Sequence, residues 1–291
     1  FSCCDGLLIL PKKQRNASMI VLDANIEPKL IREVVEKFGP VSDYVCSHGH
    51  MDHIAHIHQW EDFGAKIYAP APESNYLTNL YDFYEGFGFN EELEYPTIQK
   101  FADVNGYAEC REITPFNLGV TLEFENFRVE TIAFVGHSKG HVGFFLPQEG
   151  ILHISCLGFD QSSPDKPGFG PWYGFKECSI EQYLKDIDFA ELIFMNKAKL
   201  LTSSHSYVVK NPNRIPFKYM REKIEQNQDV IDDVLSKLKP HSIDDINLDE
   251  YLKLDLFFPK KKMKGFLVEI YNLWERWIII KHLQRSSYFS K

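Results

Sequence analysis

The chain has 291 residues, 44% hydrophobic and 25% charged, which is enough apolar material for one large domain or for one domain with a smaller companion. Its net charge of −9 argues against a general binder of nucleic acid or anionic membrane, and no run approaches the ~20 apolar residues of a membrane span. Six cysteines (Cys3, Cys4, Cys46, Cys110, Cys156 and Cys178) form neither a Cys-x-x-Cys pair nor a dense framework, which favours a reducing, cytoplasmic setting.

Residues 6–10 and 18–22 are short apolar runs that read as a hairpin around a Pro-Lys-Lys-Gln-Arg-Asn turn. Helical spacing follows over 28–38, with Leu30, Ile31, Val34, Val35 and Phe38 on one face and Gly39-Pro40 as the stop. A strand over 41–46 then runs into Ser47-His48-Gly49-His50-Met51-Asp52-His53, and an amphipathic helix is predicted over 54–63. This alternation argues for a layered α/β fold. Residues two apart on an extended stretch point the same way. His48 and His50 can therefore face one point, and Asp52 with His53 a second one nearby. Neutral imidazole and carboxylate suit zinc and similar ions.

A strand is predicted over 65–69, then a mostly helical stretch over 72–105 holding Tyr76, Tyr81, Phe83, Tyr84, Phe87, Phe89 and Tyr95. Such a run reads first as core packing, although Gly86 and Gly88 among the aromatics also fit a flap over a site. Strands at 109–113, 120–124 and 127–133 follow, with a turn at Glu125-Asn126. The last strand leads into Val135-Gly136-His137-Ser138-Lys139-Gly140-His141. A hairpin of 142–146 and 150–155 ends near Leu157-Gly158-Phe159-Asp160, and Cys156 reads as part of the strand core. The proline- and glycine-rich loop 161–175 contains Trp172-Tyr173, and long loops of this kind are more often functional than not. A helix over 179–196, with Ser179 as its cap, precedes a strand over 199–202 and then Ser203-Ser204-His205-Ser206-Tyr207. Helices over 221–239 and 265–283 complete the chain. From residue 258 onward eight Lys/Arg stand against two Glu. This basic tail reads first as a solvated face and only second as a site for an anionic substrate.

The pattern His-x-His-x-Asp-His at 48–53 resembles the signature of the metallo-β-lactamase superfamily of binuclear metal hydrolases, and His137, Asp160 and His205 follow in that family's order. The resemblance implies a four-layer αββα fold of the α/β class, with a catalytic domain over 1–212 and a small helical unit over 213–291 packed near the active-site cleft. It implies two divalent metal ions, zinc first, with iron or manganese as alternatives. By this match His48, His50 and His137 hold one ion, Asp52, His53 and His205 hold the other, and Asp160 bridges them. Asp23 is the match for an aspartate near the metals, and His141 stands behind the ligands. Val135 in place of proline and Gly-Phe-Asp in place of Gly-Asp are departures from the pattern.

The implied chemistry is attack by a metal-bridging hydroxide on an ester, thioester or lactone carbonyl, with Asp52 among the catalytic residues. Tyr173 and Tyr207 are similar to two tyrosines of glyoxalase II, which makes them candidates for stabilising the oxyanion or binding substrate, but Pro171 stands where that family's glutathione-binding lysine would be. The alternatives are a β-lactamase-like amide hydrolase, a ribonuclease or phosphodiesterase supported only by the basic tail, and a non-catalytic metal-binding module. The implied partner is a small-molecule substrate, with nucleic acid ranking behind it and no membrane; the resemblance also allows a homodimer.

Overall fold

The computed structural model describes residues 3–10, 18–125 and 127–290. The turn expected at 11–16, and Asn126 of a second expected turn, lie outside them. The first sheet is built from β1 (Leu7–Ile9), β2 (Met19–Leu22), β3 (Val41–Val45), β4 (Lys66–Pro70) and β5 (Ile113–Phe116), in that spatial order. β1 pairs antiparallel with β2, and the other neighbours run parallel. The second sheet holds β6 (Thr121–Phe124), β7 (Phe127–Ala133), β8 (Val142–Leu146), β9 (Ile151–His153), β10 (Leu200–Thr202) and β11 (Val209–Lys210), in reverse spatial order. In this sheet β9 and β10 form a parallel pair.

Alternation along the strands assigns the layers. Ile20, Leu22 and Val45 of the first sheet pack against Val129, Val142, Phe144 and Leu146 of the second, in a core between the sheets. Met19, Val21 and Tyr44 face the other way, into the core beneath the helices. The helices are α1 (Pro28–Phe38), α2 (Met51–Ile54), α3 (Ile57–Asp62), α4 (Leu80–Gly86), α5 (Tyr95–Asn105), α6 (Ile180–Lys197), α7 (Ile215–Leu238), α8 (Leu248–Leu252) and α9 (Phe266–Arg285). Two sheets flanked by helices is the layered α/β architecture the sequence implied, and a helical C-terminal region is present. Among the described residues, no helix is long and apolar enough to cross a membrane.

Two details differ from the sequence reading, and a third settles between two readings in favour of the first. The single helix predicted over 54–63 is split into α2 and α3, because the Asn25 side chain enters the turn between them. Its Nδ2 donates to the Asp52 carbonyl at 2.7 Å, and its Oδ1 accepts from the His56 N–H at 2.7 Å. Those two groups would otherwise bond each other along a continuous helix. The strand predicted over 109–113 begins only at Ile113. The N–H groups of Arg111 and Glu112 are taken by the Glu61 carboxylate, and Pro115 is tolerated because β5 is an edge strand. The aromatic run is core rather than flap: Phe83, Phe87 and Phe89 are fully buried.

The C-terminal helices are only partly a unit of their own. Phe217, Met220 and Ile224 of α7, with Trp274, Trp277 and Ile278 of α9, join the main core. Ile231, Val234, Leu235, Tyr251, Leu252, Ile279 and Leu283 form a separate small cluster. The basic tail is only partly neutralised, at three of its cations. Lys260 pairs with the buried Glu275, Arg276 with Asp249 at 2.9 Å and Arg285 with Glu225 at 2.6 Å.

Candidate metal centre

The loops that follow β2, β3, β7, β9 and β10 meet at one end of the two sheets, and each brings a chemically active side chain. His48 and His50 come from the loop after β3, and His137 from the loop after β7. His137 Nε2 lies 3.2 Å from His48 Nε2 and 3.0 Å from His50 Nδ1, with all three rings buried. Beside them, Asp52 Oδ2 lies 3.0 Å from His205 Nε2 and 3.7 Å from His53 Nε2.

Cys156 stands between these two sets. Its Sγ is 3.0 Å from His53 Nε2. Its thiol belongs both to a donor group with Asp52, His53 and His205 and to one with His48 and His137. Cys156 is therefore not strand core. β9 ends at His153, and Ser155 takes a left-handed φ of 47° that turns the following residue into the site. Asp160, expected to bridge the ions, stands outside both donor groups. It too has a left-handed φ, 47°, and its Oδ1 turns back toward Gly158. It remains close enough to feel the charges of His205, Asp52 and His53.

The histidine tautomers are set from behind. His137 Nδ1 donates to the Trp172 carbonyl at 2.8 Å, His48 Nδ1 lies 2.7 Å from Ser47 Oγ, and His53 Nδ1 donates to Asp23 Oδ2 at 3.0 Å. Each ring then presents its Nε2 lone pair to the centre. The Nε2 of His50 is buried with no hydrogen-bond partner, against the rings of Phe87 and Phe175. Asp23 also accepts from the Ser47 N–H at 2.9 Å and from Ser155 Oγ at 2.9 Å, and does so from a left-handed φ of 57°. His141 is bonded on both sides, to the Phe134 carbonyl and to the Cys156 N–H, so it supports the cysteine loop and offers no free nitrogen to an ion.

Glu73, which no sequence pattern singled out, ties the two histidine loops together. One carboxylate oxygen accepts from the Gly49 N–H at 2.6 Å and the other from the Gly140 N–H at 2.7 Å. Glycine is required at both loops: a Cβ on Gly140 would come within 2.7 Å of the Glu73 carboxyl carbon, and one on Gly49 within 2.6 Å of the Tyr76 ring.

Burial, reinforced by neighbouring imidazoles, holds His48 and His50 far below the usual histidine range, and burial takes His137 down to about 3. All three are neutral at pH 7. Burial also opposes charge on His205, but its hydrogen bond to Asp52 and that carboxylate's charge raise it to about 9. Burial pushes the Cys156 thiol well up, with Asp52 and Asp160 adding to the effect, and lifts Asp160 to about 7. These donors fit divalent ions. His137 Nε2 lies within 3.2 Å of a ring nitrogen of both His48 and His50, although His50 stands outside the close donor groups; a thiol, a carboxylate and two more imidazoles lie beside them, a set that suits zinc or iron.

At His205 the centre meets a groove of about 520 Å³ lined by Asp5, Ile26, Glu27, Leu30, His205 and Tyr207 among others. Tyr207 is thus near the centre, its ring packed on Phe159. Tyr173, expected to touch substrate, is buried elsewhere. Its hydroxyl bonds Asn227 of α7 at 2.7 Å and His282 of α9 at 3.0 Å. The C-terminal helices cover this loop and draw the tyrosine toward themselves.

No family model and no curated protein sequence matches the chain. Solved structures do. A metallo-β-lactamase family protein from Thermus thermophilus is similar at 16% identity and a TM-score of 0.62, over 98% of this chain and 94% of that one. A β-lactamase domain protein from Burkholderia ambifaria is similar at 13% identity and a TM-score of 0.65, over 97% and 83%. A metallo-β-lactamase from Pontibacter korlensis is similar at 14% identity and a TM-score of 0.51, over 76% and 86%. The chain has the metallo-β-lactamase fold, as the histidine pattern implied.

Proposed function

We propose that the chain is a metal-dependent hydrolase acting on an ester, thioester or lactone carbonyl. The observation that carries this reading is the convergence of His48, His50 and His137 beside Asp52, His53, His205 and Cys156. His48, His50 and His137 would hold one divalent ion; Asp52, His53 and His205, with Cys156, would hold the other. When bound, such ions supply a nucleophile at neutral pH and polarise the carbonyl under attack. The chain's own residues do the rest. Asp23, Ser47 and the Trp172 carbonyl fix the rings that carry the donors. Asp160, whose carboxyl burial lifts to about 7, stands beside this group and feels its charges. The groove at His205 admits the substrate.

The groove's lining favours an uncharged acyl group. Asp5 and Glu27 are the charged side chains on its walls besides His205, while Ile26 and Leu30 supply apolar surface. An anionic thioester such as S-lactoylglutathione, a carboxylate-bearing β-lactam and RNA all meet that negative wall. The basic tail, the one support for a phosphodiester substrate, is taken up in part by ion pairs of Lys260, Arg276 and Arg285 within the chain.

The test is metal analysis of the zinc-loaded protein together with initial hydrolysis rates on four substrates: a neutral lactone, a neutral thioester, S-lactoylglutathione and a β-lactam. Two bound ions are expected, with the fastest turnover on a neutral ester-type substrate and none in His50→Ala. A protein that holds two ions and hydrolyses none of the four would refute the reading.

A further inference from the structure

The segment 172–178 joins the candidate centre to the far end of the chain. We propose that α7 and α9 set the orientation of His137 and His50 through this segment, which makes Tyr173, Lys281 and His282 positioning residues for the three-histidine group. The proposal builds on the metal reading above.

The inner side of the segment touches two of the three rings. The Trp172 carbonyl accepts from His137 Nδ1 at 2.8 Å, the bond that leaves Nε2 facing the centre. The Cys178 thiol donates to the His137 carbonyl at 2.8 Å. The Phe175 ring lies 4.3 Å from the His50 ring, centre to centre.

The outer side is held by consecutive residues of α9. Lys281 Nζ donates to the Phe175 carbonyl at 2.6 Å. His282 Nδ1 donates to Gln228 Oε1 of α7 at 2.9 Å, so its Nε2 accepts from the Tyr173 hydroxyl at 3.0 Å. That hydroxyl in turn accepts from Asn227 at 2.7 Å. Two turns earlier on α9, Trp274 packs edge-on against Trp172 at 5.2 Å and against Phe175 at 5.8 Å.

Residues 171–174 belong to neither helix nor strand, so no backbone ladder fixes the Trp172 carbonyl. The bonds to Tyr173 and Phe175 do so instead. A buried polar network of this kind adds little net stability over well-packed apolar side chains, but it specifies one geometry. The geometry specified here is the position of the carbonyl that orients His137.

The first readout is the His137 Nδ1–H resonance of metal-free, ¹⁵N-histidine-labelled protein; the second is zinc affinity by chelator competition. Tyr173→Phe keeps the ring and removes both hydroxyl bonds, and Lys281→Met removes the bond to Phe175. Each is expected to shift the His137 resonance, to speed exchange of its proton and to weaken zinc binding about tenfold or more. His282→Gln retains an acceptor for Tyr173 and should lose less than His282→Leu. Arg276→Ala, on the same helix but away from the segment, should change neither readout. An unmoved His137 resonance in Tyr173→Phe and Lys281→Met would overturn the proposal, as would an equal loss in Arg276→Ala. The resonance is read without metal or substrate. A protein that binds no ion would therefore sink the hydrolase reading while this one is still decided by the resonance.

Discussion

His48, His50 and His137 are sealed from solvent, whereas Asp52 and His205 keep 24% and 32% of their side-chain surface exposed. The buried group is neutral, and two of its three rings are aimed by a hydroxyl or a backbone carbonyl. The open group is charged: His205 is lifted to about 9 by the carboxylate it faces. The difference separates two tasks. One half of the centre is prearranged by the fold, and the other meets solvent, protons and substrate at the groove.

The largest expected effects come from removing a donor. His137→Ala and His205→Ala should each lose one ion, and hydrolysis should fall on the order of 10³-fold, about 4 kcal/mol of barrier. Stability should separate them. His137→Ala leaves the partly buried Trp172 carbonyl unpaired and should cost about 1–3 kcal/mol, while partly exposed His205 should cost less. Chemical denaturation of the metal-free variants measures this, and equal losses would erase the distinction between a prearranged half and an open half.

Glu73 belongs to the prearranged half, and its removal should cost nearly as much in stability. Glu73→Ala leaves the N–H groups of Gly49 and Gly140 without a partner, at about 1–3 kcal/mol each. Glu73→Gln should recover little, because an amide offers one acceptor where two donors wait. The midpoint of urea unfolding reads both variants.

The parts legible in the sequence were those written in a contiguous pattern. Four of the donors fall within 48–53, and strand periodicity is enough to aim His48 and His50 together. His137 and His205 could be placed because they follow the cluster in the order the family resemblance implies; by themselves, histidines in loops after strands are a weak signal. Cys156 was missed because the strand was read two residues too long; the left-handed turn at Ser155 that exposes the thiol has no sequence marker. Glu73 is a single acid in a helical stretch, and its role depends on two glycines 24 and 67 residues away. Tyr173 was given to the substrate because its partner His282 lies 109 residues further on. Such long-range polar contacts carry no local signal.

Cys156 lies where the two halves meet, so it sharpens the comparison at an intermediate scale. Cys156→Ser should weaken zinc binding by about 10–100-fold and remove the sulfur-to-metal absorption of the cobalt-substituted protein. Asp160→Asn should keep both ions and the cobalt spectrum and lower only the rate. The reverse pattern, with both ions kept in Cys156→Ser and one lost in Asp160→Asn, would return the bridging role to the aspartate.

The smallest effect is expected at the open edge. Tyr207 lines the groove and packs edge-on against Phe159, with a centroid separation of 5.1 Å. Partial burial raises its pKa, so the hydroxyl is protonated throughout the neutral range and can donate a hydrogen bond. A donor placed for the developing oxyanion is worth about 10²–10³ in rate, whereas a side chain that only shapes the groove is worth a few-fold, mostly in KM. Nothing in the structure aims this hydroxyl: its hydrogen-bonded group is its backbone N–H, which donates to the Gln161 carbonyl. Tyr207→Phe should therefore leave kcat within about fivefold and shift KM by a similar factor. A hundredfold loss of kcat at unchanged KM would make Tyr207 an oxyanion donor, and the open half would then hold a prearranged catalytic group as well.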